Sequence, residues 1–369
     1  MASIINLIVR DPNGQIVEVH ENLVIGAANV GDPNYIETRV NKQSKFIRVE
    51  DLGGFAPVED EFELDSGADG LGSLVDADFI GDPDAKTGIY SLSHLEHVRI
   101  IAVPGVTSPA VHAALLAYAE ASNRVFAILS APQGLTPAEA LDYRTGEGVY
   151  DHIAFNSSFG ALYWQWVRFY DPRTRSDEAY MPPDGVIAGL FARNDEIAYP
   201  WDAPAGMVRG VLRNVLGVHY EPNEQEVGLL YDAGINSIVV FPTDGAVVWG
   251  QKTLQAMPSA TDRINVRRAL IQWQYDLQRD LRYLLFEPNV PRTWAALKRK
   301  ADAYFQRVKD LGGLADFLVV CDETTNTPDR RDRNEMAAKF YLDVARTGEF
   351  LELDFILTPS GTDFSAFQG

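Results

Sequence analysis

Cysteine is almost missing from the 369 residues: Cys321 stands alone, so no internal disulfide can form and no cysteine cage can hold zinc. No apolar run reaches the roughly 18 residues that cross a bilayer. The opening MASIINLIVRDPNGQ also lacks a basic start followed by a long apolar stretch, which speaks against a secretory signal. Both absences fit synthesis in a reducing cytoplasm with no membrane insertion. Cationic excess is missing as well. Lys and Arg number 32 against 52 Asp and Glu, a net charge of -20, which opposes broad nucleic-acid binding because that needs a surface able to release counterions from phosphates. No internal repeat or low-complexity stretch interrupts the chain.

What the chain does have is apolar and aromatic bulk. It carries 18 Phe, 15 Tyr and 6 Trp within 46% hydrophobic residues, far from the composition of disordered chains. Its length exceeds what one core usually serves and suits two or three domains. The charge is unevenly placed. From Thr261 to Asp310 there are 11 Lys and Arg against 6 Asp and Glu, while the other 319 residues carry 21 against 46. A basic element is embedded in an acidic protein.

Hydrophobic periodicity divides the chain into three textures. Around Asp11-Pro12-Asn13-Gly14 two β-rich runs, Ile5–Arg10 and Gln15–Glu21, predict a hairpin, since Asn-Gly accepts the positive φ values of a tight turn. A helical piece around Tyr35–Val40, a third strand at Lys45–Glu50 and an irregular Gly/Asp-rich stretch from Gly53 to Gly88 complete a β-rich piece, residues 1–92. Next, strand His97–Val103, helix Ser108–Ser122 and strand Val125–Leu129 read as a βαβ unit with a parallel sheet. Strand Leu162–Tyr170, helix Gly185–Asp195 and strand Ile238–Phe241 continue the pattern, and residues 93–235 form the expected α/β domain. Residues 236–369 read as α+β: long amphipathic helices Arg263–Leu285 and Thr293–Leu311, with β-rich runs Ala246–Trp249, Phe317–Cys321 and Glu349–Leu357. Ala337–Ala345 satisfies either period.

Two motifs nearly match and fail. Asp65 to Asp76 (DSGADGLGSLVD) has acids at three calcium-loop places, yet Gly67 sits where a third-position ligand belongs and Asp76 replaces the bidentate Glu. In GAVVWGQKT from Gly245, Gln251 separates the second glycine from Lys252, and AVVW reads as a strand and not a phosphate cradle. Cys321 ends the apolar run FLVVC as a buried thiol. Tyr163, Trp164, Trp166, Phe169 and Tyr170 read as sheet and core packing.

In the last third, FPTDGAVVWGQKTL, INVRR, FEPNVPRTW, CDETTNTP and GEFLELDFIL follow one another in the order and spacing of contractile tail sheath proteins. NYIETRVNKQSKFIRV, ADGLGSLVDADFIG, IIAVPGVTSPAVHAALLAYAE and APAGMVRGVL, earlier in the chain, also resemble that family. The resemblance implies a subtilisin-like α/β middle domain without protease function. It also implies a C-terminal domain that lines an inner tube, and arms that donate strands to neighbouring subunits. The implied function is that of a structural subunit stacked in six-fold rings, contracting to drive the tube through a cell envelope. Its partners would be copies of itself, the tail tube protein, the baseplate and the tail terminator. It would be assembled in the bacterial host cytoplasm and reside in the virion tail. No cofactor is called for. The chain opens at a strand inside the family pattern, so an N-terminal arm is expected to be lacking.

On a helical wheel Val266, Leu270, Trp273, Leu277, Leu281 and Leu284 form one stripe, with Arg267, Arg268, Arg279 and Arg282 opposite. These four arginines are the expected tube contacts, set against an ordinary solvated face. Phe350, Leu351, Leu353, Phe355, Phe364 and Phe367 are the expected inter-subunit arm. Two rivals are weighed. A static tube-binding shell uses the same fold without contraction, and an α/β hydrolase would draw on His97, His152, Ser157 and Ser158. The hydrolase lacks a G-x-S-x-G elbow and any recognisable triad.

Overall fold

The computed structural model describes residues 3–11, 14–26, 30–53, 61–62, 70–172 and 176–349, and the chain divides into two units, Met1–Gly72 and Ser73–Gly369. In the first unit β1 (Ser3–Arg10) and β2 (Ile16–Ile25) pair antiparallel, as predicted, with Gly14 at φ 78° in the turn. α1 (Ile36–Gln43) follows, and Leu23, Val24, Tyr35 and Val40 are buried. The strand predicted at Lys45–Glu50 does not form. Its backbone is taken by side chains instead: Ser44 Oγ accepts from the amides of Phe46 and Ile47, Glu18 accepts from Lys45, and the Asn41 amide both donates to and accepts from Val49 at 2.8 Å. Side-chain pairing of this kind competes directly with a ladder.

The second unit opens on α2 (Asp76–Ile80), a helical turn inside the stretch expected to be irregular. Its centre is a parallel four-stranded sheet in the order β3 (Ile100–Ile101), β4 (Phe126–Ser130), β5 (Gly160–Tyr163), β9 (Ile235–Asn236). The βαβ unit is as predicted, with α3 (Pro109–Ser122) as its crossover, although its first strand shrinks to two residues. Proline at N1 and Asn123 in the left-handed region bound α3. α4 (Pro137–Thr145), which periodicity alone does not announce, starts from a capping box: Thr136 Oγ1 accepts from the Glu139 amide, and the Glu139 carboxylate accepts from the Thr136 amide at 2.8 Å. Replacing Thr136 with alanine is expected to cost about 1 kcal/mol, measurable as a lower urea midpoint at constant m-value; an unchanged midpoint would remove the cap from the account.

The strand predicted over Leu162–Tyr170 is in fact two, β5 and β6 (Val167–Asp171), in different sheets. The break is at Gln165, whose fully buried side chain imitates a strand partner: it donates to the Ile238 carbonyl at 2.7 Å and accepts from the Ile238 amide at 2.6 Å. β6 instead lies between β7 (Ser176–Met181) and β8 (Gly217–Val218). α5 (Pro183–Ile197) packs on β4, α6 (Gly206–Arg209) is a single turn, and α7 (Glu224–Asp232) leads into β9. β10 (Ile238–Phe241) and β11 (Gly245–Val248) form a hairpin.

The C-terminal part comprises α8 (Ile264–Leu281), α9 (Pro291–Asp310), β12 (Leu314–Val320), α10 (Pro328–Asp332) and β13 (Lys339–Val344). β12 and β13 pair antiparallel, which resolves the ambiguous Ala337–Ala345 as a strand, and Gly312 at φ 80° follows the end of α9. The central core, built on Phe126, Ile128, Leu162, Tyr163 and Phe191, extends to Ile264 and Ile271 of α8. A second core gathers Trp273, Leu277, Phe305, Val308, Leu314 and Val319. α8 therefore serves two cores at once. The mixed α/β and α+β architecture is the one the sequence predicts.

Candidate functional site

The position of α8 between two cores decides the fate of its arginines. Ile264, Arg268 and Ile271, spaced four and three apart, share one face, while Ala269, Trp273 and Leu277 share another, and both faces are buried. Arg268 is only 5% exposed, ion-paired with Asp195 of α5, and lies 4.5 Å over the Phe191 ring. Burial pushes the Arg268 pKa down against the pull of Asp195, and burial pushes the Asp195 carboxyl up against the pull of Arg268. Both shifts favour the neutral forms, the mark of an ion pair whose desolvation outweighs its attraction. Arg267 is half-buried, donates to Ser158 Oγ and stacks 4.1 Å over Phe159. The expected solvent face shared by all four arginines is thus corrected: Arg267 and Arg268 belong to packed surfaces, because a wheel with one apolar stripe presumes only one buried side.

Arg279 and Arg282, near the far end of the helix, are 55% and 57% exposed. Arg279 pairs with Asp276 and Asp280, and Arg282 with Glu96. On α9, Lys300 shares Asp280, and Lys298 donates to the Val319 carbonyl and pairs with Asp302. Arg292 and Arg299 of α9 are exposed and carry no ion pair among the described residues. Between the helices the chain presents Tyr283, Leu285 and a fully exposed Phe286, whose φ of 70° is unusual for a bulky side chain.

At the other end, Arg263 holds Glu349 bidentately at 2.6 and 2.9 Å, and Gln251 donates to the same carboxylate at 2.8 Å. Burial raises the Glu349 pKa, and the hydrogen bonds from Arg263, Gln251 and Tyr231 more than reverse it. The expected arm residues Phe350, Leu351, Leu353, Phe355, Phe364 and Phe367 lie outside the described residues, as do Asp65 and Asp69 of the calcium-like stretch.

Among the described residues, none of the serines and histidines weighed for hydrolysis is hydrogen-bonded to another of them. Ser157 is buried and its Oγ accepts from the Phe159 amide; Ser158 accepts from Arg267; both ring nitrogens of His152 lie on carbonyl oxygens, of Ile153 and Tyr143; His97 is exposed. The phosphate-loop look-alike holds β11, and at Gly250 a Cβ would sit 2.8 Å from Asn236 Oδ1, so the glycine serves strand packing. Cys321 is buried and its thiol pKa is raised, chiefly by burial. His112, which sequence reasoning passed over, is almost fully buried against Tyr143 Oη at 2.7 Å and the Val106 carbonyl at 3.0 Å. Desolvation lowers its pKa to about 4, which keeps it neutral. Among the described residues no cluster of three or more His, Cys, Asp or Glu is placed to hold a metal ion.

Residues 80–254 match the family described as phage tail sheath protein central domain, and residues 257–358 match the phage tail sheath C-terminal domain. Among curated relatives, the tail sheath protein of Enterobacteria phage T4 is 36% identical over 231 residues, 62% of this chain and 35% of that protein. That of Vibrio phage KVP40 is 35% identical over 229 residues, 62% and 34% respectively. The chain therefore spans about a third of the length of these relatives. Among solved structures, the contracted helical sheath of the anti-feeding prophage superposes with a TM-score of 0.60 at 23% identity, covering 80% of this chain and 77% of that one. The sheath tail protein of Desulfitobacterium hafniense gives 0.52 at 13%, covering 86% and 70%. At such identities the likeness is one of fold.

Proposed function

From the chain's membership of the phage tail sheath family, whose central and C-terminal domains it carries in order, we propose that it is a structural subunit of a contractile sheath. The single observation that carries this reading is the succession of both domains over residues 80–358 of one chain. Copies stack in six-fold rings around an inner tube, joined to a baseplate and a terminator, assembled in the host cytoplasm and retained in the tail. The work is mechanical. Free energy for contraction resides in the difference between two packings of the same subunit, so neither turnover nor a cofactor enters.

Three parts, residues 1–92, 93–235 and 236–369, divide this work, and the last lines the tube. Phe350, Leu351, Leu353, Phe355, Phe364 and Phe367 join subunits. With Arg267 and Arg268 engaged in packing, the tube-facing charge falls to Arg279 and Arg282, which are exposed though paired, together with Arg292 and Arg299, which have no ion-pair partner among the described residues. Exposed pairs are worth roughly 0.2 to 1 kcal/mol each and multiply over many subunits, which suits a contact that must form and release.

Electron microscopy of the protein co-produced with its tube protein tests the reading: striated sheaths are expected, and bare tubes would refute it. The double change Arg292→Glu and Arg299→Glu is expected to leave thermal stability unchanged and to cut sheathed tubes about tenfold or more, with high salt acting in the same direction on the unaltered protein. Normal sheathing by the altered protein would move the contact away from α9.

A further inference from the structure

After β13 the chain leaves the second core and returns to the central one. In the β12–β13 hairpin Leu314 pairs with Val344 at the open end and Val320 with Lys339 at the other, and Ala345 donates to the Gly313 carbonyl. From Arg346 to Gly348 no backbone–backbone hydrogen bond holds this strap among the described residues, and Arg346 and Gly348 are exposed. Ordering such a stretch costs conformational entropy, which its own burial does little to offset. It is held from outside instead. Gln251 Nε2 donates to Thr347 Oγ1 at 2.6 Å and to the Glu349 carboxylate at 2.8 Å, Arg263 grips both Glu349 oxygens, and Tyr231 donates to the same carboxylate.

The gripping residues come from three places: Tyr231 near the end of α7, Gln251 after β11, and Arg263 just before α8. Two of them are fixed to each other without help from Glu349. The Ile264 amide donates to the Gln251 carbonyl at 2.8 Å, and Lys252 forms an antiparallel bridge with Arg263. The buried Asn236 of β9 ties this pair to the central sheet, since its Oδ1 accepts from the Lys252 amide and its Nδ2 donates to the Lys252 carbonyl, both at 2.8 Å. A cradle built on fixed backbone thus turns Arg263 Nε and Nη2, Gln251 Nε2 and Tyr231 Oη on one carboxylate.

We propose that this cradle is the anchor through which a pull on the chain beyond Glu349 reaches the central sheet and spares the hairpin. Without it, a pull past Val344 would fall first on the Leu314–Val344 pair, the open end of an antiparallel ladder, and would part the ladder one pair at a time. With it, the pull is taken by Arg263 and Gln251 and passed through Lys252 to β9. A subunit joined to its neighbours by residues after Glu349 can then be displaced as a body with its second core intact. That use rests on the sheath reading, whereas the anchor itself concerns the subunit alone.

The test is Glu349→Gln in the full chain, with Arg346→Ala, at an exposed position of the same strap, as baseline. Glutamine keeps the shape and offers the Arg263 fork one acceptor where it needs two. Arg263 keeps Asp262 at 3.0 Å, so the change leaves no unpaired cation. Without tubes, amide hydrogen exchange in β13 is expected to quicken about tenfold or more in Glu349→Gln, while β4 and α8 keep their protection. With tubes, sheathed particles are expected to fall about tenfold. Unchanged exchange in β13 would overturn the anchor. Equal quickening in β4 would overturn it too, because Glu349 would then stabilise the whole unit and not hold one end of it. Sheaths as numerous as the parent's would remove the anchor from the joining of subunits. Bare tubes with the parent itself would refute the sheath reading, and the exchange result would still decide the anchor.

Discussion

Arg268→Ala is expected to lower the folding free energy by about 3 kcal/mol, the lower end of the range for breaking a buried ion pair, since Asp195 keeps 32% of its side chain exposed. The loss has two parts. Asp195 is left with its burial and without its cation, and the Phe191 ring loses the guanidinium lying 4.5 Å above it. Because burial drives both pKa values toward the neutral forms, the pair itself is a weak source of stability. The combined change Arg268→Met with Asp195→Leu is therefore expected to recover most of the loss. Urea unfolding of the single and double variants decides the matter. A single variant as stable as the parent would place Arg268 in solvent and restore it to the tube-facing set.

Phe305→Ala is expected to cost about 4 kcal/mol, within the range for emptying a packed aromatic site. Phe305 is 1% exposed, and Trp273, Tyr304, Phe317 and Phe340 all set their rings against it at centroid distances of 5.4 to 6.2 Å. It ties α9 to α8 on one side and to both strands of the β12–β13 hairpin on the other. Amide hydrogen exchange should therefore quicken first in β12 and β13, while β4, whose side chains sit in the other core, keeps its protection. Equal loss of protection in β4 and β12 would mean that the two cores melt as one and that α8 couples them more tightly than their separate side-chain sets suggest.

Much of this was open to a reader of the sequence. The Asn-Gly hairpin, the βαβ unit and the two long C-terminal helices follow from period and turn chemistry, because those signals are local and each element's own residues supply its pattern. The Thr136-Pro137-Ala138-Glu139 start of α4 is an equally local signal, a capping box written in four consecutive residues. The failures share one cause. At Lys45–Glu50 and at Gln165 a polar side chain distant in sequence, or its neighbour across a turn, takes the place of a backbone partner, and no window of residues shows that a side chain will arrive.

The same limit governs the functional surface. By itself the sequence determined the family's order of motifs, the mixed α/β character, the acidic balance and the concentration of positive charge between Thr261 and Asp310. It could not determine which of those cations meet solvent. Arg268 became internal because Asp195 and Phe191, some seventy residues earlier, close over it. Arg292 and Arg299 stay exposed, and among the described residues no carboxylate is brought into ion-pair distance of them. Whether a charge is spent inside a protein or offered to a partner depends on what the fold carries to its side, and only the tertiary arrangement holds that information.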